Sequence, residues 1–255
     1  MPDAMNILLL GGTGEAMALA RALACDPRFA PVLSLAGRTQ NPAPPPIPWR
    51  RGGFGGAAGL AAFLAAHQIA AVIDATHPFA RQISANAQAA TAETGVALLT
   101  LTRPPWLAQP GARWTIVPDL AAAARALGKT PRRVFLTIGR QDLLPFRAAP
   151  WHHYLIRSVD PPDPAWLPPI CEILSARGPF SQESERALLT ARKIEVLVSK
   201  NSGGAMQAKL DAAHALAIPV VMVARPEPAP GTMVTTEIAA AIAWLTRLHD
   251  AKRGV

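Results

Sequence analysis

The residues able to do chemistry fall into a few short polar segments. Gly11-Gly12-Thr13-Gly14-Glu15-Ala16 follows an apolar run and opens a helical pattern. Glycines there let a tight turn bring the backbone close to a diphosphate, and the helix N-terminus adds free N–H groups and a positive dipole end. Strand, glycines and helix come in the order a dinucleotide site requires, so Gly11, Gly12, Thr13, Gly14 and Glu15 are expected to hold one. Gly37-Arg38-Thr39 closes the second predicted strand, where an NAD site carries Asp or Glu. Arg38 can instead pair with a 2′-phosphate, which favours NADP(H) over NAD. Arg50 and Arg51, ahead of Gly52-Gly53-Phe54-Gly55-Gly56, either flank the adenine end or belong to a flexible turn.

Three further polar clusters follow predicted strands: Asp74-Ala75-Thr76-His77-Pro78-Phe79-Ala80, Gly139-Arg140-Gln141 and Ser199-Lys200-Asn201-Ser202-Gly203-Gly204. Ligands of open α/β sheets bind outside the carboxyl ends of strands, so this placement favours function. Capping is the competing reading, for Asp74 at the helix from Arg81 and for Ser202-Gly203-Gly204 at the helix from Ala205. His77 and Lys200 are the titratable candidates for proton transfer or anion binding. As a loop residue without a metal partner, His77 reads more readily as a hydrogen-bonding group than as an acid. His152 and His153 would point to opposite faces of a strand, which excludes them as a metal pair. No metal site is expected: Cys25 and Cys171 read as unpaired thiols. Tyr154 lacks a lysine four residues on, and no Gly-x-Ser-x-Gly elbow occurs.

The elements positioning these segments alternate between strand and helix, the pattern of parallel βαβ units. Strands are predicted at 6–10, 31–36, 70–74, 97–101, 133–138, 154–158, 172–175, 195–199 and 220–224. A helix with Ala16, Leu19, Ala20 and Leu23 at helical spacing is predicted to stop before Asp26-Pro27, and others are predicted at 57–66, 81–94, 120–127, 181–191, 205–217 and 237–252. The break at Arg103-Pro104-Pro105-Trp106 separates an expected nucleotide-binding domain, 1–105, from an α/β domain for substrate, 106–255. Asn41–Trp49, with five prolines, reads as an extended surface loop.

Half of the 255 residues are hydrophobic, enough for sizeable cores, and no run of eighteen apolar residues or leader-like start is seen. A soluble, cytoplasmic protein without membrane contact is expected. The net charge of +8 is uneven, +1 over residues 1–100 and +7 over 101–255. Arginines outnumber lysines 20 to 5, which suits planar recognition of carboxylate or phosphate. Basic residues form no terminal run and no recognition motif, so nucleic acid is not the expected partner.

Taken together, Leu8–Ala16, Asp74–Ala80 with Ser84 and Asn86, Arg103–Trp106, Thr137–Gln141, Ala176-Arg177-Gly178-Pro179-Phe180 and Ser199–Gly204 resemble the precorrin-6A reductase family of cobalamin biosynthesis, from about residue 6 to Pro226. The resemblance implies an NADPH-dependent reductase delivering hydride to one ring carbon–carbon double bond of precorrin-6A, metal-free or cobalt-bound, to give precorrin-6B. It implies two Rossmann-like domains with mainly parallel sheets and an active-site cleft between them. It places the pyrophosphate on Gly11–Ala16 and Asp74 and Thr76 near the nicotinamide ribose. Arg140, Gln141, Arg177, Lys200, Asn201 and Ser202 then face a polycarboxylate tetrapyrrole, with a basic cleft as its counter-charge. Trp106 and Phe180 serve either as apolar walls for the ring or as core. A monomer is expected, and a smaller substrate for the same NADP-binding domain is the alternative.

Overall fold

The computed structural model describes residues 4–37, 44–252 and 254. The chain forms two compact units, Met1–Pro104 together with Pro226–Val255, and Pro105–Arg225. The first pass through unit 1 runs β1 (Met5–Leu10), α1 (Gly14–Leu23), β2 (Phe29–Leu35), β3 (Trp49–Arg51), α2 (Gly56–Ala66), β4 (Ala71–Asp74), α3 (Arg81–Thr94) and β5 (Ala97–Leu101). Unit 2 follows with β6 (Trp114–Val117), α4 (Leu120–Ala126), β7 (Arg133–Thr137), β8 (His153–Ser158), β9 (Cys171–Ser175), α5 (Gln182–Ala191), β10 (Val196–Lys200), α6 (Ala208–Ala215) and β11 (Val220–Val223). The chain then returns to unit 1 as β12 (Val234–Thr235) and α7 (Ile238–Lys252).

This return corrects the expected boundary, which assigned everything after residue 105 to the second domain. β12 pairs in parallel with β5, Val234 opposite Thr100 and Thr235 opposite Leu101. The amphipathic α7 buries Ala241, Trp244 and Leu245 in the core of unit 1. Its apolar face called for a sheet, as the sequence implied, but nothing local in it says which one.

β1 explains how an unbroken apolar run becomes a central strand. Successive side chains point to opposite faces. Ile7 and Leu9 pack under α1 and α7 with Leu19, Leu23 and Trp244, while Leu8 and Leu10 pack under α2 and α3 with Leu60, Leu64 and Ala87. Each fully buried leucine is worth about 1.5–3 kcal/mol relative to exposure. α1 starts where Thr13 caps it, its side-chain oxygen accepting from the Ala16 amide at 3.1 Å. In unit 2, Phe135, Leu197 and Met222 of three adjacent strands pack against Leu189 of α5 and Leu210 of α6.

Both sheets are parallel throughout, with strand orders β3-β2-β1-β4-β5-β12 and β9-β8-β7-β10-β11-β6. Counted within each unit, five strands follow the nucleotide-binding order 3-2-1-4-5. The sixth place is filled across the chain: β6, which follows β5 in sequence, completes the second sheet, and β12, which follows β11, completes the first. Two α/β halves without internal sequence similarity thus share one architecture.

β3, β6 and β12 lie outside the sequence prediction. They are two to four residues long, occupy sheet edges and bury only Val117, so almost no apolar pattern marks them. Trp49, expected in the proline-rich loop, belongs to β3, and Leu33 of β2 donates to the Pro48 carbonyl at 2.9 Å. Residues 41–43 of that loop lie outside the described residues. α6 begins at Ala208 rather than Ala205, because Gly203 and Gly204 adopt left-handed conformations that delay the helix.

Candidate functional site

Each sheet has one place where strand order reverses, β1 beside β4 in unit 1 and β7 beside β10 in unit 2. Loops leaving two such strands diverge to opposite faces and open a crevice at their carboxyl ends. The glycine loop after β1 and the three polar clusters after β4, β7 and β10 lie at these two places.

In unit 1, Gly11 continues β1 and donates to the Ser34 carbonyl at 3.0 Å. Gly12 has φ +117°, a conformation closed to other residues without strain, and a Cβ on Gly12 or Gly14 would meet nothing within 4 Å. The loop therefore offers bare backbone at the N-terminus of α1, a cradle that fits a diphosphate. Thr13 locks it: besides capping α1, its hydroxyl donates to the Ala75 carbonyl at 2.7 Å and so joins the glycine loop to the loop after β4. Glu15, expected among the cofactor-binding residues, is engaged by Arg103, whose Nη1 lies 2.9 Å from Oε2. A carboxylate beside a diphosphate would repel it, and this arginine cancels that charge.

The loop after β4 is a folded turn. Asp74, buried, accepts from the amide and hydroxyl of Thr76 at 3.0 and 2.6 Å. It does not cap α3, whose N-terminal residue Ala80 makes no side-chain cap. His77 Nδ1 accepts from the Phe79 amide at 3.2 Å, so Nε2 carries the proton of the neutral ring. Arg38 and Thr39 lie outside the described residues.

In unit 2, Lys200 at the end of β10 forms an ion pair with Asp142, in the loop after β7. Asp142 escaped the sequence reading, although it stands directly after the Gly139-Arg140-Gln141 cluster. Arg140 donates to the Pro161 carbonyl at 3.2 Å, and Gln141 is exposed. Arg177 follows β9, two strands from β7 and so roughly 10 Å further along the same sheet edge. Asn201 is committed elsewhere: Oδ1 accepts from the Trp106 amide at 2.8 Å and Nδ2 donates to the Trp106 carbonyl at 3.0 Å. Arg225 braces the same loop, donating to the carbonyls of Asn201 and Ser202 at 3.3 and 2.9 Å. Backbone bracing of this kind has no pattern in sequence.

The two aromatic wall candidates resolve differently. Trp106 is core, 5% exposed, packed with Phe135 and Leu210, its indole donating to Gly204 at 2.7 Å. Phe180 lies 4.0 Å from the guanidinium of Arg157, which pairs with the buried Glu185, Nη2 to Oε2 3.0 Å. His152, which precedes β8 and is not part of it, is buried, and His153, the first residue of β8, is exposed. Among the described residues no cluster of metal-ligating side chains occurs, and no helix is long and apolar enough to cross a membrane.

Unit 2 carries 11 Arg and 4 Lys against 9 acidic residues, net +6, whereas unit 1 is +2. The charge asymmetry seen along the sequence therefore persists between the folded units. The loop after β7 leads into a 3-10 turn, Leu144–Ala148, and not into an α-helix. The diphosphate cradle thus has no counterpart after β7.

Comparison with known proteins identifies the family. The family model "precorrin-6x reductase CbiJ/CobK" matches residues 6–246. A precorrin-6A reductase of Rhodobacter capsulatus is 50% identical over 251 residues, covering 98% of this chain and 99% of the relative. One from Sinorhizobium is 54% identical over 225 residues, 88% and 86% of the two chains. A cobalt-precorrin-6A reductase of Salmonella typhimurium is 31% identical over 238 residues, 88% of each. The solved structure of a CobK precorrin-6A reductase superposes with a TM-score of 0.89 at 50% identity, covering 96% of this chain and 97% of that one. With its glycine cradle, its parallel sheets and near full-length similarity at half identity, the chain belongs to the precorrin-6x reductase CbiJ/CobK family.

Proposed function

We propose that this protein reduces one ring carbon–carbon double bond of precorrin-6A to give precorrin-6B, using NADPH. The observation that carries the reading is about 50% identity over nearly the full length of a precorrin-6A reductase, in a chain that presents a glycine cradle. Identity is lower, 29–31%, to the cobalt-precorrin-6A reductases, which favours the metal-free macrocycle as substrate.

The cofactor, when bound, supplies the hydride; the chain's own task is to hold, orient and neutralise. Gly11–Gly14 and the start of α1 hold the diphosphate, while Thr13 keeps the loops after β1 and β4 in register. Asp74 and Thr76 support the nicotinamide ribose side. Arg140, Gln141, Arg177 and Lys200 meet the acetate and propionate groups of the tetrapyrrole, for which a guanidinium fork is well matched. Asn201 and Ser202 act through the braced backbone of their loop. His77 offers Nε2 as a hydrogen-bond donor on the cofactor side, and Lys200 offers its ammonium to a substrate carboxylate. Neither is indispensable for the proton that completes reduction, since solvent or the ring nitrogens can deliver it.

Incubating the protein with precorrin-6A and NADPH tests the reading. A change in the tetrapyrrole absorption spectrum matched by NADPH oxidation is expected. No change, with the substrate intact, overturns it and leaves a smaller substrate for the same cofactor domain.

A further inference from the structure

Two adjacent arginines at the edge of unit 1 have different surroundings, and the difference separates a structural residue from one that reads the cofactor. β2 and β3 run in parallel, Ser34 opposite Arg50 and Leu35 opposite Arg51. Arg50 is used inward: Nη1 donates to Ser34 Oγ at 2.9 Å and to the Gly52 carbonyl at 3.0 Å, Nη2 donates to the Gly53 carbonyl at 2.9 Å, and the guanidinium lies 4.1 Å from the ring centroid of Phe54. It fixes the glycine turn that leads into α2.

Arg51 is exposed and extends sideways over the end of β2. Its Nη2 donates to the Gly37 carbonyl at 3.3 Å, and a Cβ on Gly37 would lie 3.0 Å from Nε and 3.2 Å from Cγ. Gly37, at φ +77°, is thus a place where the backbone makes room for this side chain. A dinucleotide whose diphosphate rests on the loop after β1 carries its adenosine ribose to the carboxyl end of β2, the neighbouring strand. The Arg51 guanidinium is at that strand end. The surrounding charge has one sign: residues 27–73 contain four arginines and no Asp or Glu. The carboxylate that would hold a free ribose 2′-hydroxyl, and repel a 2′-phosphate, is absent from the whole run containing β2, β3 and α2.

Resting on the cofactor reading above, we propose that Arg51, reaching from β3 across Gly37, is the residue of the described fold that recognises the 2′-phosphate of NADPH and sets its preference over NADH. Arg50 holds the turn and has no part in the choice.

The test is a titration of the full-length protein and its Arg51→Ala and Arg51→Lys variants with NADP+, NAD+, adenosine 2′,5′-bisphosphate and adenosine 5′-phosphate. The wild type should prefer the 2′-phosphorylated member of each pair. Arg51→Ala should lose about 10- to 100-fold for those members, the range expected for one charge-assisted contact. NAD+ and adenosine 5′-phosphate should change less than about twofold, and Arg51→Lys should recover part of the preference. Unchanged NADP+ affinity in Arg51→Ala, or equal losses for both members of each pair, overturns the assignment of Arg51. A wild type indifferent to the 2′-phosphate overturns the NADPH reading itself, so the two failures are distinguishable.

Discussion

The hydroxyl of Thr13 and the carbonyl of Ala75 are 2.7 Å apart, and this one hydrogen bond joins the two loops that leave β1 and β4 at the switch point of unit 1. The same hydroxyl accepts from the Ala16 amide, so the threonine both caps α1 and sets the spacing of the crevice. Thr13→Ala should cost about 1 kcal/mol in stability from the lost cap. It should also weaken NADPH binding about tenfold as the loops separate. Thr13→Ser should restore both. Thermal unfolding and cofactor titration provide the measurements, and equal affinity for wild type and Thr13→Ala would refute the link.

Glu15 and Arg103 neutralise each other beside the diphosphate cradle, their side chains about a quarter and a fifth exposed. Removing the arginine alone would leave an unpaired carboxylate beside the proposed diphosphate site. Arg103→Ala should weaken NADPH binding about fivefold, on the order of 1 kcal/mol for one partly screened charge. The double variant Glu15→Gln with Arg103→Ala should recover most of the loss. A double variant no better than the single one means that Arg103 acts through something other than that charge.

The Lys200–Asp142 pair at the second switch point should serve substrate binding more than the chemical step. Lys200→Ala should raise KM for precorrin-6A about tenfold with kcat falling only a few-fold, the expected pattern when a charge-assisted contact binds ground and transition states alike. His77→Ala should likewise retain turnover. Steady-state kinetics decides: complete loss of turnover with substrate binding intact in either variant would make that side chain the obligatory proton donor.

His152 gives unit 2 a pH-sensitive point of stability. The ring is fully buried, with Nε2 3.1 Å from the Gly128 carbonyl and Nδ1 accepting from the Arg132 amide at 3.2 Å. That arrangement fits only the neutral Nε2–H tautomer, and burial lowers the pKa from its ordinary value near 6.5. The unfolded chain therefore takes up a proton at a higher pH than the folded one. Stability from this site is complete above about pH 6.5 and is lost as pH falls through the folded-state pKa. The urea midpoint of the wild type should drop between about pH 7 and pH 5, and His152→Gln should flatten that part of the profile. An equally steep profile in the variant would assign the slope to other groups.

The sequence by itself determined the features that are local in cause. The apolar run of β1 announces a strand buried on both faces, and Ile7 to Leu10 do alternate between two cores. The glycine loop with its capping threonine announces a helix N-terminus able to take a diphosphate, and the ordered motifs identify the family. Tertiary structure decided what depends on distant partners. α7 has an apolar face that would suit either sheet, and its packing in unit 1 is settled with β12 pairing beside β5. Lys200 could have faced solvent, but the strand order brings Asp142 beside it. Asn201 looked like a ligand residue, yet the backbone of Trp106 uses its amide. Arg50 and Arg51 are alike in sequence, and strand alternation beside β2 gives one to the fold and the other to the surface. A side chain's periodicity fixes which face it takes; what it meets there is fixed by elements as far as a hundred residues away.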